Sequence, residues 1–213
     1  MILFLVATLF TAVPLAGEAD SPRYSRAGVD LSDGKFLVAT RQLLDPRFIQ
    51  TVLLLIRYNK EGALGLIINR PTKANLSDAL PDLPNLKRVK ETLFLGGPVD
   101  LSRIFLLLLS AEPPKDSLRV FGNVYLSSSK EVLEQRIPIQ NNKEKLRVYA
   151  GYAGWGAGQL ESEIQQGHWN VWHADAEIIF NMPAKDVWPV MIERSTVLEA
   201  KNPNFLCDFA SLR

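Results

Sequence analysis

The residues best suited to handling a ligand fall in three short motifs: INRP (Ile68–Pro71), LGGPV (Leu95–Val99) and GYAGWGAGQ (Gly151–Gln159). Each closes a stretch that reads as a β-strand. Loops at strand ends, held by a rigid sheet, are where binding sites are built. Asn69 offers an amide for paired hydrogen bonds. Arg70 offers a planar fork of donors for a carboxylate or phosphate, on a backbone that Pro71 biases toward extended geometry. Gly96, Gly97, Gly154 and Gly156 permit unusual dihedrals or close approach of a ligand. Trp155 offers a flat apolar wall. A helix starting near Gln159 would aim free N–H groups and a partial positive charge at the same region. Together these residues describe a pocket for a small polar or anionic ligand. The competing reading is packing: glycines for tight strand–helix approach, Trp155 filling core, Arg70 paired with an acid.

Other chemistries find less support. Gly154, Gly156 and Gly158 spell G-x-G-x-G, not the G-x-G-x-x-G of a dinucleotide site. Asp175 follows at a suitable distance for a ribose contact, but no regular βαβ series surrounds the motif. The chain has two histidines, His168 and His173. On a strand, residues five apart point to opposite faces, so shared metal ligation is awkward. There is no G-x-S-x-G, H-E-x-x-H or P-loop. The one cysteine, Cys207, lies in the tail NPNFLCDFASLR and reads as a small buried hydrophobe. No catalytic residue, metal ligand or cofactor is assigned. An enzyme would need Asn69, Arg70 and Gln159 to orient a substrate beside a nucleophile or base that the sequence does not display.

The elements that must position these motifs are strand-rich. KFLVAT reads as a strand and DPRF as a turn with Asp as cap and Pro first. TVLLLIRY reads as a strand buried on both faces. NKEG is a hairpin turn and ALGLIIN its return strand. NLSDALPDL is a short helix fenced by Pro81 and Pro84. ETLFLGGPVDLSRIFLLLLS reads as strand, Gly-Gly-Pro turn, strand. SLRVFGNVYL is extended, with a break at Gly122. SSSKEVLEQRI is a helix, with Ser128 and Glu131 at capping-box spacing. KLRVYAGY is a strand leading into the glycine-rich stretch. QLESEIQQG is an amphipathic helix with Leu160 and Ile164 inward, closed by Gly167. HWNVW is a short strand. DAEIIF and AKDVWPVMIER are two helices, the second kinked or interrupted at Pro189. Strands and helices do not alternate regularly, which points to α+β rather than a doubly wound sheet.

With 213 residues, 47% hydrophobic and 22% charged, the chain has an ordinary globular composition. A net charge of +1 argues against direct nucleic-acid binding. The local basic cluster Lys87, Arg88 and Lys90 is flanked by Asp78, Asp82 and Glu91 and reads as a solvated face. Residues 1–31 form an apolar, signal-like segment plus leader, and 32–213 the folded domain. Ile2–Ala16 is uncharged and too short to span a bilayer comfortably. It suits the apolar part of an export signal, though no Lys or Arg precedes it. The alternative is a mis-assigned start near Val29. Membrane contact is expected only through this segment. The location is exported if it acts as a signal.

In order along the chain, FLVAT…LDPRFIQTVLLLIRYNKEGALGLIINRPT, LFLGGPV, LRVFGNVYLSSSKEVLE and GYAGWGAGQLESEI closely resemble the AlgH/YqgE family of bacterial proteins. The resemblance covers Leu31 to Glu193. It implies one α+β domain in which a bifurcated, barrel-like sheet carries surrounding helices, and a cytoplasmic location. It brings no catalytic residues. A transcriptional-regulator label attaches to the family through the regulation of alginate production. The apolar N-terminus departs from the family, whose usual start resembles VDLSDGKFLVAT here. Where many members carry a His after the second strand of the GGPV hairpin, this chain has LLLLS. Pro189 falls in a helix the family leaves uninterrupted. The function expected is a non-catalytic regulatory module that binds a small ligand or a protein partner.

Overall fold

Alternation along three neighbouring strands sets the architecture: β1 (Lys35–Ala39), β2 (Val52–Asn59) and β3 (Gly62–Ile67). Successive side chains of a strand turn to opposite faces, and here both faces are buried. Phe36, Val38, Val52, Leu54 and Leu66 enter one cluster with Ile178, Val187 and Met191. Leu37, Ala39, Leu53, Leu55 and Ile67 enter another with Trp155, Leu160, Ile164 and Trp169. The continuous apolar run TVLLLI is therefore a strand between two layers, as expected. The computed structural model describes residues 30–80, 83, 91–137 and 144–201. The signal-like segment, Pro81 and Pro84, the Lys87/Arg88/Lys90 cluster and Cys207 lie outside the described residues.

The remaining strands are β4 (Pro71–Asn75), β5 (Thr92–Leu95), β6 (Val99–Leu109), β7 (Ser117–Phe121), β8 (Val124–Ser127), β9 (Lys145–Gly156) and β10 (Trp169–His173). All join one ten-stranded sheet of order β10-β1-β2-β3-β9-β6-β8-β7, with β4 and β5 branching off it. The branch point is β9. One of its edges pairs antiparallel with β6 from Lys145 to Ala150. The opposite edge is shared. β5 runs parallel to Val148–Ala150, and β3 runs antiparallel to Ala153–Gly156. The sheet thus bifurcates and curls into a half-barrel, and the chain is a single α+β domain.

Helices cover the faces. α1 (Leu76–Ala79) follows β4, and α2 (Lys130–Arg136) follows β8. α2 lays Val132 and Leu133 on a third cluster with Leu106, Leu108, Leu146 and Val148. α3 (Gln159–Gln165) packs on one face of the β1–β3 layer through Leu160 and Ile164. α4 (Ala176–Phe180) and α5 (Ala184–Lys201) cover the other.

Four local expectations change. The strand KLRVYAGY does not stop before the glycines, because β9 continues through them to Gly156. It bends at Gly151, whose φ of +70° an L side chain rarely adopts. The pairing with β6 shifts register opposite that residue, between Val99 and Ile104. LGGPV is not a hairpin turn, since β5 and β6 flank opposite edges of β9. The chain crosses β9 there: a methyl on Gly97 would stand 2.1 Å from the carbonyl carbon of Tyr152. The cap of α2 is Ser129, not Ser128: its Oγ accepts from Val132 N–H at 3.3 Å. Finally, α5 runs unbroken through Pro189, whose missing N–H removes a single bond early in the helix. Gly122 does break its segment, as the turn of the β7–β8 hairpin.

Candidate functional site

An open hollow of about 730 Å³ lies where the end of β9, the start of α3 and the segment 42–48 meet. Its lining includes Asp45, Arg47 and Phe48, Gly154 and Trp155, and Gln159, Glu163 and His168. Sequence order places these parts far apart, and local hydrogen bonds then hold each part.

The 45–50 segment is a single turn. Asp45 accepts from the Arg47 backbone N–H at 2.9 Å, and its carbonyl accepts from the N–H of Phe48 and Ile49. Asn69 and Arg70 clamp this turn from behind. Asn69 Oδ1 accepts from Val52 N–H at 2.9 Å while its Nδ2 donates to Gln50 O at 3.0 Å. The Arg70 guanidinium donates to the carbonyls of Arg47, Pro46 and Ile49. Those carbonyls end a helical turn and, among the described residues, have no backbone donor, so a fixed cationic fork is a good match.

The opposite wall is aromatic and carries one carboxylate. Trp155 and Trp169 meet edge to face at 6.2 Å, with Phe48 stacked on Trp155 at 6.5 Å. Both indole N–H groups donate to Glu163 Oε2, at 3.0 and 2.8 Å. Glu163 Oε1 accepts from Gln159 Nε2 at 3.0 Å, and Gln159 Oε1 accepts from Gly156 N–H. A half-buried carboxylate is thus held by three neutral donors.

Charge in the lining is uneven. Arg47 pairs with Asp45 at 2.7 Å. Their hydrogen bond holds the Asp45 carboxyl below its ordinary range, and Arg70 adds to the effect by charge. Burial lowers the Arg70 guanidinium from its usual value, with Asp45 opposing. Among the described residues Glu163 forms no ion pair.

The hollow brings together Gly154, Trp155 and Gln159 of the expected site residues. Asn69 and Arg70 stand behind its wall and bind backbone. Gly96 and Gly97 serve the β9 crossing: Gly96 N–H donates to Ala150 O at 2.8 Å, and its carbonyl accepts from Ile67 N–H at 2.7 Å. Gly156 borders open space without lining the hollow. Phe48 and Glu163 escaped the sequence reading, which weighed His168 only as a metal ligand. A signal for Glu163 existed, because it sits one turn after Gln159 beside the inward Leu160 and Ile164. Ser162, the hydroxyl of the lining, accepts from Gln166 Nε2 and makes no bond to His168. Among the described residues no group of three or more His, Cys, Asp or Glu side chains could hold a metal. His173 instead meets Lys35 across β10 and β1 at 3.2 Å.

The model of the family described as AlgH-like matches residues 36–198. The chain belongs to the AlgH-like family. A UPF0301 protein of Bordetella petrii is 36% identical to this AlgH-like chain over 180 residues, covering 83% of it and 88% of the relative. AlgH of Pseudomonas aeruginosa is 38% identical over 156 residues, 71% of this chain and 82% of AlgH. The solution structure of AlgH from P. aeruginosa superposes with a TM-score of 0.62 at 33% identity, covering 83% of this chain and 91% of that one. A Corynebacterium diphtheriae protein with 20% identity and a TM-score of 0.65, over 78% and 88% of the two chains, shares the fold. The resemblance carried by NRPT, GGPV and GYAGWGAGQLE is thereby established, as is the α+β architecture it implied.

Proposed function

We propose that this AlgH-like protein is a non-catalytic binding module of a regulatory kind. Its hollow between segment 42–48 and α3 receives a small polar ligand, or a polar group presented by a protein partner. The observation that carries this reading is Glu163: a carboxylate fixed by two indoles and an amide at the wall of an open cavity. A fixed polar group on an aromatic wall is how small-ligand sites obtain orientation. Among the described residues, the lining of the hollow holds no hydroxyl or thiol engaged with a base, which nucleophilic catalysis requires. Arg70, bound to backbone carbonyls, is not free to grip an anion, so the polar half of the original expectation is the better supported.

The four tryptophans provide the test. Trp155 and Trp169 report on the hollow. Trp172 Nε1 donates to Ser195 Oγ and Trp188 Nε1 to the Ala39 carbonyl, and neither side chain lines the hollow. A panel of polar metabolites titrated into ¹⁵N-labelled protein should shift the indole N–H signals of Trp155 and Trp169 and leave the other pair in place. Ser162→Phe, which crowds the lining from an exposed helix position, should abolish the shift. If no metabolite of any charge moves those signals, the hollow is not a binding site.

A further inference from the structure

We infer that the group received by the hollow is a cation, an alkylammonium or guanidinium head seated between Glu163 and the half-buried ring of Phe48, which backs onto Trp155. The inference rests on the binding role proposed above and adds the sign of the ligand's charge. Among the described residues, the side chains charged at pH 7 that line the hollow are Asp45, Arg47 and Glu163, with the imidazole of His168 beside them. Arg47 is spent on Asp45 at 2.7 Å, and Arg70 also acts on Asp45 from behind the turn. Glu163 is left with neutral donors only. A carboxylate offers about four acceptor positions, so one direction stays open on a negative charge with no counter-charge among the described residues.

The aromatic wall points the same way. Aromatic ring faces are negative and attract cations. The wall already does so within the chain, where the Arg47 guanidinium lies 5.7 Å from the Phe48 centroid. Leu44 and Val99, which line the hollow at 79% and 40% exposure, would cover the methylene stem behind such a head. An anion would meet the unpaired Glu163 and lose. The cation can arrive as a free amine or as a Lys or Arg side chain of a partner. The chemistry is shared, and the test separates the sources.

Matched probes decide it. Butylammonium, butylguanidinium, butyramide and butyrate share one stem and differ in charge. Each is titrated into the full chain while the Trp155 and Trp169 indole N–H signals are followed. The two cations should bind and the others should not. Glu163→Gln keeps the side chain's shape and should weaken cation binding at least about tenfold, the loss expected for one charged hydrogen bond. Arg47→Ala removes an internal competitor and frees Asp45, so it should tighten cation binding; this gain cannot come from misfolding. A Lys-containing peptide binding more tightly than butylammonium, with loss on lysine acetylation, assigns the source to a partner; equal affinity assigns it to a free amine. If butyramide or butyrate binds as well as the cations, the inference falls while the binding role stands. If cations bind equally to wild type and Glu163→Gln, it falls as well. Silence from every probe and every metabolite removes both.

Discussion

Trp155 and Trp169, fourteen residues apart in sequence, direct their indole N–H groups at one oxygen, Oε2 of Glu163. Trp155 is the last residue but one of β9, Trp169 begins β10, and α3 between them carries the acceptor. The carboxylate therefore ties strand, helix and strand together. Under the proposed binding role the same side chain would also meet the ligand, and mutagenesis can separate the two roles.

Glu163→Ala leaves two indole donors without a partner. Each stranded donor costs about 1–3 kcal/mol, so a loss of about 3 kcal/mol is expected. Glu163→Gln can still accept from the indoles and should lose about 1 kcal/mol. Urea denaturation followed by tryptophan fluorescence measures both. Equal losses for the two substitutions would show that the indoles do not depend on this acceptor.

Arg70→Ala should destabilise the fold by about 2 kcal/mol, since donors from a charged group to the 46–49 carbonyls are lost. Arg70→Lys should not restore it, because a point charge cannot span three carbonyls as the guanidinium fork does. Hydrogen exchange at the amides of Phe48, Ile49 and Thr51 should quicken in both variants. A ligand-binding defect with wild-type stability and exchange would instead return Arg70 to the role of a ligand contact.

Two glycines in the family motifs should behave oppositely. Gly97→Ala places a methyl 2.1 Å and 2.3 Å from the Tyr152 carbonyl atoms, so it should lose more than about 3 kcal/mol or fail to fold. A methyl on Gly156 would meet nothing within 4 Å, and Gly156→Ala should stay within about 1 kcal/mol of wild type, on the stabilising side. Soluble yield and thermal midpoint distinguish them. A well-folded Gly97→Ala protein would contradict the crossing of LGGPV over β9.

The Tyr149 hydroxyl is buried and, among the described residues, has no hydrogen bond of good geometry, the Arg147 guanidinium lying near it only as a poorly aligned donor. Burial pushes its pKa up to about 12, and the nearby Arg147 charge only partly opposes this. The folded value lies above the unfolded value of about 10. The stability tied to this proton is whole below pH 10 and drains away as pH climbs toward 12. Tyr149→Phe should remove that alkaline loss and, at neutral pH, match or exceed wild-type stability by up to about 1 kcal/mol. If urea midpoints of both proteins fall in parallel between about pH 10 and 11.5, another group is responsible.

Much of the fold was readable because it is written in local pattern. The unbroken apolar run of β2 announces burial on both faces. Asp45 with Pro46 announces the turn, and Leu160 with Ile164 the inward face of α3. What was not readable is who pairs with whom. Nothing near Gly96 or Gly97 marks that β5 and β6 take opposite edges of a strand fifty residues onward. The glycines of β9 read as a loop because their reason is a neighbouring backbone, and backbone leaves no trace in the side-chain code. The partners of Arg70 were hidden for the same cause: they are carbonyls. Glu163 looked like one more surface acid on an amphipathic helix until both tryptophans were brought to it.

The shared strand β9 also governs when the molecule can come into being. Lys145–Gly156 supplies the edge partner for β3, β5 and β6, yet it lies in the last third of the chain. During synthesis the hairpin of β2 and β3 and the pair of β4 and β5 can form early, but each keeps an unsatisfied edge until β9 leaves the ribosome. At ordinary elongation speeds this interval lasts about ten seconds. A protein of this design is thus born with its sheet split in two, and its exposure to wrong partners ends only when one late segment closes the gap.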